Sequence, residues 1–318
     1  MIAIATSTRA DWGLLTPLAA EMNRQGIPHK VLASNMHLIS EMGMTVNEIK
    51  AAGEDPAELA TAGITATETF ANTARVYGEW FANNKPVAVV ILGDRYEMLA
   101  VASAATICNI PIIHIAGGTV SEGAMDNAIR NAITQLASLH LAETDRCAHR
   151  LENMGIAKDK IVTTGAIGVW NALNVPLMSK VELEESIVWK LPERFFVGTM
   201  HSATLDPTSP TEQMKEFLGG IEKFISANDA FGAILTYPNN DTDPTPLIVM
   251  LEEFAEKYPD RIRIVPSLGM RRYLSAVALS EGVIGNSSSG IVEVASLGVP
   301  TLDVGIRQNG RERAMRVI

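Results

Sequence analysis

The sequence predicts an α/β protein of two Rossmann-like, doubly wound parallel-sheet domains, on three observations. Short apolar runs alternate with longer amphipathic ones along the whole chain. The short runs are continuously apolar rather than alternating, the pattern of strands buried on both faces and joined by right-handed helical crossovers. A length of 318 residues with 47% hydrophobic content suits two domains of ordinary size, and one segment, "NALNVPLMSKVELEESIVWKLP" at 171–192, interrupts the alternation.

In chain order, strands are expected at 2–5, 29–33, 87–92, 111–115, 139–142 and 160–162, with helical patterns at 13–25, 67–83, 95–107 and 123–138. After the interruption, strands are expected at 195–197, 233–236, 262–265 and 282–284, with helices at 212–227, 245–257 and 271–280. The boundary is accordingly placed between a first domain, 1–175, and a second, 176–318. The order of strands within each sheet is not legible at this level.

Composition removes several function classes. The net charge is −10 with Lys and Arg scattered, so no basic footprint for nucleic acid exists. Cys108 and Cys147 are the only cysteines; they lack CxxC or Cys/His ligand spacing, which argues against disulfides, structural zinc and a secretory route and for a cytoplasmic protein. The N-terminus has no basic n-region and the longest apolar stretches are strand-length or interrupted, so neither a signal peptide nor a membrane span is expected. The six His are dispersed with no i, i+4 pair, and no metal site is expected. GxGxxG after the first strand, GxxxxGK[ST] and GxSxG are all missing, so no nicotinamide cofactor, P-loop or hydrolase elbow is expected.

In doubly wound sheets ligands bind beyond the carboxyl ends of the strands. Those loops here are Ser7-Thr8-Arg9-Ala10-Asp11, Gly93-Asp94-Arg95, His114-Ile115-Ala116-Gly117-Gly118, Gly165-Ala166, Gly198-Thr199-Met200-His201, Tyr237-Pro238-Asn239-Asn240 and Gly285-Asn286-Ser287-Ser288-Ser289-Gly290. The last is the most telling. Hydroxyls and close-approaching backbone at a helix start can cradle a phosphate, whereas Ser at that place equally reads as an ordinary N-cap. Asp94 beside Arg95 reads either as a structural pair or as groups aimed at a ligand. Glu122, Asp126 and Arg130 recur every four residues, so on a helix they share a face, either as a salt-bridge ladder or as one wall of a site.

Several stretches together carry a family resemblance: "TSTRADWGLLTPL", "SNMHLISEMGMTVNEI", "ILGDRYEMLAVA", "IPIIHIAGGTVSEGAMDNAIRNAITQLASLHLAET", "TMHSAT", "TYPNND" and "YLSAVALSEGVIGNSSSGIVEVASLGVPTLDVGIRQNGRERA". In this order they resemble the UDP-N-acetylglucosamine 2-epimerases, in particular the hydrolysing branch that makes N-acetylmannosamine for sialic and related nonulosonic acids. The combination of GDR-x-E, GG-x(5)-A-x-D and GNSSSGI-x-E followed by RQ-x-GR makes it specific. The resemblance implies a GT-B-like fold, an active site between the domains, a UDP-sugar substrate, no metal or redox cofactor, and a homo-oligomer, dimer or tetramer. It implies that Asn286, Ser287, Ser288, Ser289 and Glu293 hold the nucleotide, with hydroxyls on the diphosphate and the carboxylate on the ribose. Arg9, Arg95 and Arg307 join them as charge-neutralising groups; each Arg taken alone would read as a solvated surface charge. His201 and Asp126 are implied as acid/base groups, with Asp94 and Glu122 as further catalytic candidates. A lone His would otherwise read as a satisfied polar residue.

The chain departs from the family pattern at Ala116 and Thr119, where an acidic residue or His and an acidic residue are frequent, and at Asn127 and Asn131, where Asp and His are common. Relatives also continue beyond the equivalent of Ile318 with a further strand and helices, so the sequence reads as a fragment. These departures leave two other functions open: a nucleotide-sugar-binding protein without turnover, and a GT-B glycosyltransferase or non-hydrolysing epimerase.

Overall fold

A computed structural model describes all residues except 204 and 240–242, together with the side chain of Glu41. Thr204, Asn240 and Asp241, which belong to motifs quoted above, lie outside the described residues. The chain divides into two compact units, Met1–Thr119 with Asp126–Ile167, and Val120–Met125 with Gly168–Ile318.

The first unit runs β1 (Ile2–Thr6), α1 (Arg9–Arg24), β2 (His29–Ser34), α2 (Val46–Ala51), β3 (Ala57–Leu59), α3 (Ala66–Asn84), β4 (Ala88–Leu92), α4 (Tyr96–Ile107), β5 (Ile112–Ile115), α5 (Asp126–Leu136), β6 (Leu139–Ala142), α6 (Asp145–Asn153) and β7 (Ile161–Thr163). Its seven strands pair in the order β3-β2-β1-β4-β5-β6-β7, every pair parallel. Every residue of β4, "AVVIL", is buried, as a central parallel strand covered on both faces must be. The two faces carry separate cores, one including Tyr77, Phe81, Met98 and Ile133, the other Trp12, Leu15, Ile49 and Val90.

The second unit follows with α7 (Ile167–Asn174), α8 (Lys180–Ile187), β8 (Arg194–Thr199), α9 (Pro210–Ala227), β9 (Phe231–Thr236), α10 (Thr245–Lys257), β10 (Ile262–Val265), α11 (Gly269–Leu279), β11 (Gly282–Gly285), α12 (Ser288–Val292) and β12 (Thr301–Asp303). Its five strands pair in the order β10-β9-β8-β11-β12, again all parallel. The interruption at 171–192 is two helices in succession with no strand between them. A capping box at Ser179 and Glu182 starts the second of them.

Several elements differ from expectation for local reasons. Helix α1 starts at Arg9, not 13, because Thr8 and Asp11 form a capping box. Strands β3 and β12 have three residues each at sheet edges, too short to print an apolar run. Helix α6, "DRCAHRLEN", buries only Cys147 and Leu151. Helix α5 begins at Asp126, so Glu122 does not share a helix face with Asp126 and Arg130. The preceding segment belongs to the second unit: the Glu122 N–H donates to the Asn309 carbonyl at 2.9 Å, and Gly123 is so close to that strand of chain that a β-carbon there would lie 2.3 Å from the Ile306 carbonyl oxygen.

Both sheets reverse their winding at one place, between β1 and β4 in the first and between β8 and β11 in the second. At such switch points the flanking loops diverge and leave a crevice for ligand.

Candidate active site

At the first unit's switch point, Thr8 caps α1 while Asp11 Oδ2 accepts from the Ser7 hydroxyl at 3.1 Å and the Thr8 N–H at 3.1 Å. Burial pushes the Asp11 carboxyl above its ordinary range, with Arg95 opposing and Glu97 adding to the shift. Arg9 follows the cap and pairs through Nε with Glu48 at 3.2 Å. Beneath it, His37 bridges Thr6 at 2.9 Å and Thr45 at 2.8 Å; burial, with Arg9 nearby, pushes its imidazole down to about 4.

After β4, Arg95 pairs with the fully buried Glu97 at 3.1 Å, and Asn35 Nδ2 donates to the same Glu97 oxygen at 2.5 Å. Asp94 meets Arg130, whose guanidinium is 1% exposed and also donates to the Thr119 carbonyl at 2.9 Å. From β5, His114 lies against the Gly93 carbonyl at 2.8 Å and the Thr134 hydroxyl at 3.2 Å. Since only a ring N–H can meet that carbonyl, Nε2 donates to Gly93 and Nδ1 accepts from Thr134. The turn presenting Asp94 is thereby held from two sides. Asp126 sits at the first position of α5, one turn before Arg130 and on its face. Asp126 and Arg130 thus share a helix face, and the ion pair that Arg130 makes is with Asp94.

At the second unit's switch point, Gly285 ends β11 with φ +135, and a β-carbon there would lie 1.9 Å from the Thr199 carbonyl oxygen. Only glycine fits. This close approach lets the Asn286 side chain pair with His201: the His201 N–H donates to Oδ1 at 2.7 Å and Nδ2 donates to the His201 carbonyl at 2.8 Å. The His201 ring is fixed from the other side, because the Asn239 N–H donates to its Nδ1 at 3.0 Å. With Nδ1 accepting, the neutral ring carries its proton on Nε2, which is therefore a donor.

The Asn286 carbonyl in turn accepts from Arg307 Nη1 at 3.3 Å and Gln308 Nε2 at 2.9 Å. Ser287 occupies the N-cap position of α12, yet its hydroxyl makes no cap hydrogen bond, so the ordinary capping reading of the serine run is not realised. Ser288 and Ser289 form the first turn. Glu293 follows that helix and lies against Gly168, where a β-carbon would be 2.2 Å from its Oε1. Burial pushes the neighbouring Tyr273 phenol up, with Ser289 opposing and Glu293 adding to the shift. Arg313 pairs with Asp303 at 2.6 Å, and Arg307 and Arg311 also favour that carboxylate against a burial effect that raises its pKa. Glu122 is exposed and lies beside this arginine segment at Gly310, in the second unit.

His201, Asn286, the serines, Arg307 and Glu122 are thus on one unit, and Arg9, Asp94, Arg95 and Asp126 on the other. A sequence profile built on UDP-N-acetylglucosamine 2-epimerases matches residues 20–318. The chain belongs to this family. Over its whole length it is 33% identical to the polysialic acid biosynthesis protein P7 of Escherichia coli, covering 81% of that protein. It is 31% identical, again over the whole chain, to the hydrolysing GDP/UDP-N,N'-diacetylbacillosamine 2-epimerase of Campylobacter jejuni, covering 83% of it. The fold is similar to that of the UDP-N-acetylglucosamine 2-epimerase of Neisseria meningitidis, whose crystal structure holds UDP-N-acetylglucosamine: the TM-score is 0.78 at 17% identity, covering 95% of this chain and 82% of that one. The fold is therefore the GT-B-like fold of the 2-epimerases.

For a 2-epimerase, the residues that motif reading overlooks are those that hold the others: Glu97 on Arg95, Arg130 on Asp94, His114 on the Gly93 turn, and Gln308 on Asn286. Each stands in a quoted stretch, Glu97 in "GDRYE", His114 and Arg130 in the stretch around "HIAGG" and Gln308 in "RQNGR", but a holding role is not legible there. Among the described residues no group of three or more His, Cys, Asp or Glu is arranged to hold a metal ion, and no helix is long and apolar enough to cross a membrane.

Proposed function

We propose that this chain is a hydrolysing 2-epimerase that converts UDP-N-acetylglucosamine, or a close acetamido nucleotide-sugar, into the free 2-epimeric sugar and UDP. The observation that carries the reading is the fixed ring of His201, with Nδ1 occupied by the Asn239 N–H and the backbone clamped by Asn286. Such a ring offers one donor, Nε2–H, suited to a leaving diphosphate oxygen.

In the first step a carboxylate removes the proton at C2 as the C1–O bond breaks and UDP leaves with the electron pair, giving a 2-acetamidoglucal. Water then adds its oxygen to C1, and C2 is reprotonated on the opposite face. Asp126 and Asp94 are the carboxylates for this proton traffic. Thr119 is a buried hydroxyl donating to the Ala116 carbonyl at 3.1 Å and offers no base where relatives carry an acid. Ser287, Ser288, Ser289 and Arg307 take the diphosphate, Glu293 takes the ribose, and Arg9 and Arg95 contribute positive charge from the first unit; Asn286, expected among the nucleotide groups, instead spends its side chain on the His201 backbone. The reading places the chain in the cytoplasm as a homo-oligomer, dimer or tetramer, supplying an amino sugar such as N-acetylmannosamine to a nonulosonic acid route. The sugar side is taken as the first unit and the nucleotide side as the second, which includes 120–125 and 168–175 that the expected boundary at 175/176 assigns to the first domain.

The loss of an acid at Thr119 favours one second reading, a nucleotide-sugar-binding protein without turnover. Mass spectrometry after incubation in D2O with UDP-N-acetylglucosamine and diacetamido analogues separates the two. Free UDP and a sugar deuterated at C2 are expected. Binding without UDP release supports the second reading, and interconversion without free sugar assigns the chain to the non-hydrolysing reaction.

A further inference from the structure

Gly168, in the first turn of α7, stands against the side chain of a candidate site residue, Glu293. A β-carbon built there would lie 2.2 Å from Glu293 Oε1, 2.6 Å from Cδ and 2.7 Å from Cγ. The carboxylate and the methylene behind it thus fill the volume that any other residue at 168 would claim. Glu293 Oε2 is buried, and the Tyr273 phenol and Ser289 stand on the side of α11 and α12. Gly168 carries no positive φ, so its backbone does not itself demand glycine. In a helix, alanine is ordinarily the better residue. The glycine is explained by the space and not by the chain conformation.

We propose that Gly168 is a positioning residue for nucleotide recognition: it leaves the room in which the Glu293 carboxylate is held, and so sets a preference for a ribonucleoside over a 2′-deoxyribonucleoside diphosphate. The proposal rests on the reading above that Glu293 meets the ribose. A carboxylate with two oxygens accepts from both hydroxyls of a vicinal diol and loses one of those bonds when O2′ is absent. A β-carbon at 168 pushes the side chain out of that register while leaving the serines and Arg307 in place.

The test is the affinity for UDP and for 2′-deoxy-UDP, by calorimetry, in the wild type, Gly168→Ala, Glu293→Asp, Glu293→Gln and the Gly168→Ala/Glu293→Asp double variant. The wild type is expected to prefer UDP by about 10-fold or more, as for one hydrogen bond to a charged group. Gly168→Ala should bring UDP down toward the 2′-deoxy-UDP level and leave 2′-deoxy-UDP nearly unchanged. In the Glu293→Asp background the shorter side chain makes room, so adding Gly168→Ala should cost little further, a non-additivity that marks direct contact. The proposal is overturned if Gly168→Ala weakens both nucleotides equally, if it keeps the wild-type preference, or if its cost is the same in both backgrounds. Folding of the double variant where Gly168→Ala alone does not fold supports the steric claim, and failure of both to fold overturns it. If Glu293→Gln leaves the preference intact, the ribose reading of Glu293 is what fails.

Discussion

Asn286 holds His201 by both of its backbone polar groups, accepting the His201 N–H at 2.7 Å and donating to its carbonyl at 2.8 Å. Residues 85 positions apart are thereby joined as two strands would be, just past the ends of the neighbouring strands β8 and β11. The side chain of Asn286 is consumed in this pairing, and it is 1% exposed. Its part in the site is thus to place His201, while its carbonyl places Arg307 and Gln308.

Asn286→Ala is accordingly expected to act on turnover and stability together. Two hydrogen bonds vanish and the His201 carbonyl and amide lose their partners, a loss of about 2–4 kcal/mol on ordinary magnitudes. Release of the ring from its register should lower kcat by about 10²-fold, the usual effect of a misplaced catalytic group. Thermal melts and single-turnover assays check both. Wild-type kcat in a destabilised variant would show that His201 needs no such placement.

Ser287→Ala is expected to separate binding from stability in the opposite sense. The hydroxyl makes no cap hydrogen bond, so the change in unfolding free energy should stay within about 0.5 kcal/mol. A lost hydrogen bond to a diphosphate oxygen should weaken UDP by about 10-fold or more. A variant that is destabilised by a kilocalorie or more with unchanged UDP affinity would return this serine to the role of a cap.

How much of this was legible depends on whether the determining interaction is local. Helix α10 matches the expected 245–257 at both ends, because its apolar periodicity is self-contained. Strands β4 and β9 follow from continuous apolar runs. Glu122 was misplaced because four-residue spacing is a helical signal only where a helix exists. There the chain is instead held to the second unit by the Asn309 carbonyl and by the close approach at Gly123. Likewise the serine run announced a site, but the fact that its first hydroxyl does not cap, and that Asn286 turns to His201, depends on contacts distant in sequence.

Acid should destabilise the protein through two buried imidazoles to which no catalytic role is assigned. His37 and His114 are fully buried, and burial lowers each from the ordinary imidazole value of about 6.5 to about 4. A depressed histidine disfavours protonation in the folded state, so stability is complete above the unfolded value and is lost as the pH falls from about 6.5 toward 4. Each should cost about 2.5 kcal/mol between pH 7.5 and pH 4.5. Denaturant titrations at the two pH values should show a smaller acid loss in His37→Gln than in the wild type. Equal losses would mean that His37 stays neutral in neither state or protonates without cost.

The contact between Arg130 and Asp94 allows the structural and chemical parts of a carboxylate to be told apart. The guanidinium is 1% exposed and the carboxylate 24%, so removing Asp94 leaves a buried charge without this counter-charge, and removing Arg130 leaves one that is partly solvated. Asp94→Asn should destabilise the first unit by about 3 kcal/mol, the cost of leaving a buried charge without its partner, and Arg130→Met by less, because the carboxylate left behind is partly solvated. The double variant should lose less than their sum, by about 0.5–3 kcal/mol of coupling. Asp94→Asn should also reduce turnover far more than UDP affinity, because the groups proposed to take the diphosphate and ribose, Ser287 to Ser289, Glu293 and Arg307, lie on the second unit. If the double variant regains stability and turnover together, Asp94 serves only as the counter-charge to Arg130. If it regains stability while solvent deuterium still fails to enter C2, the carboxylate has a chemical role as well.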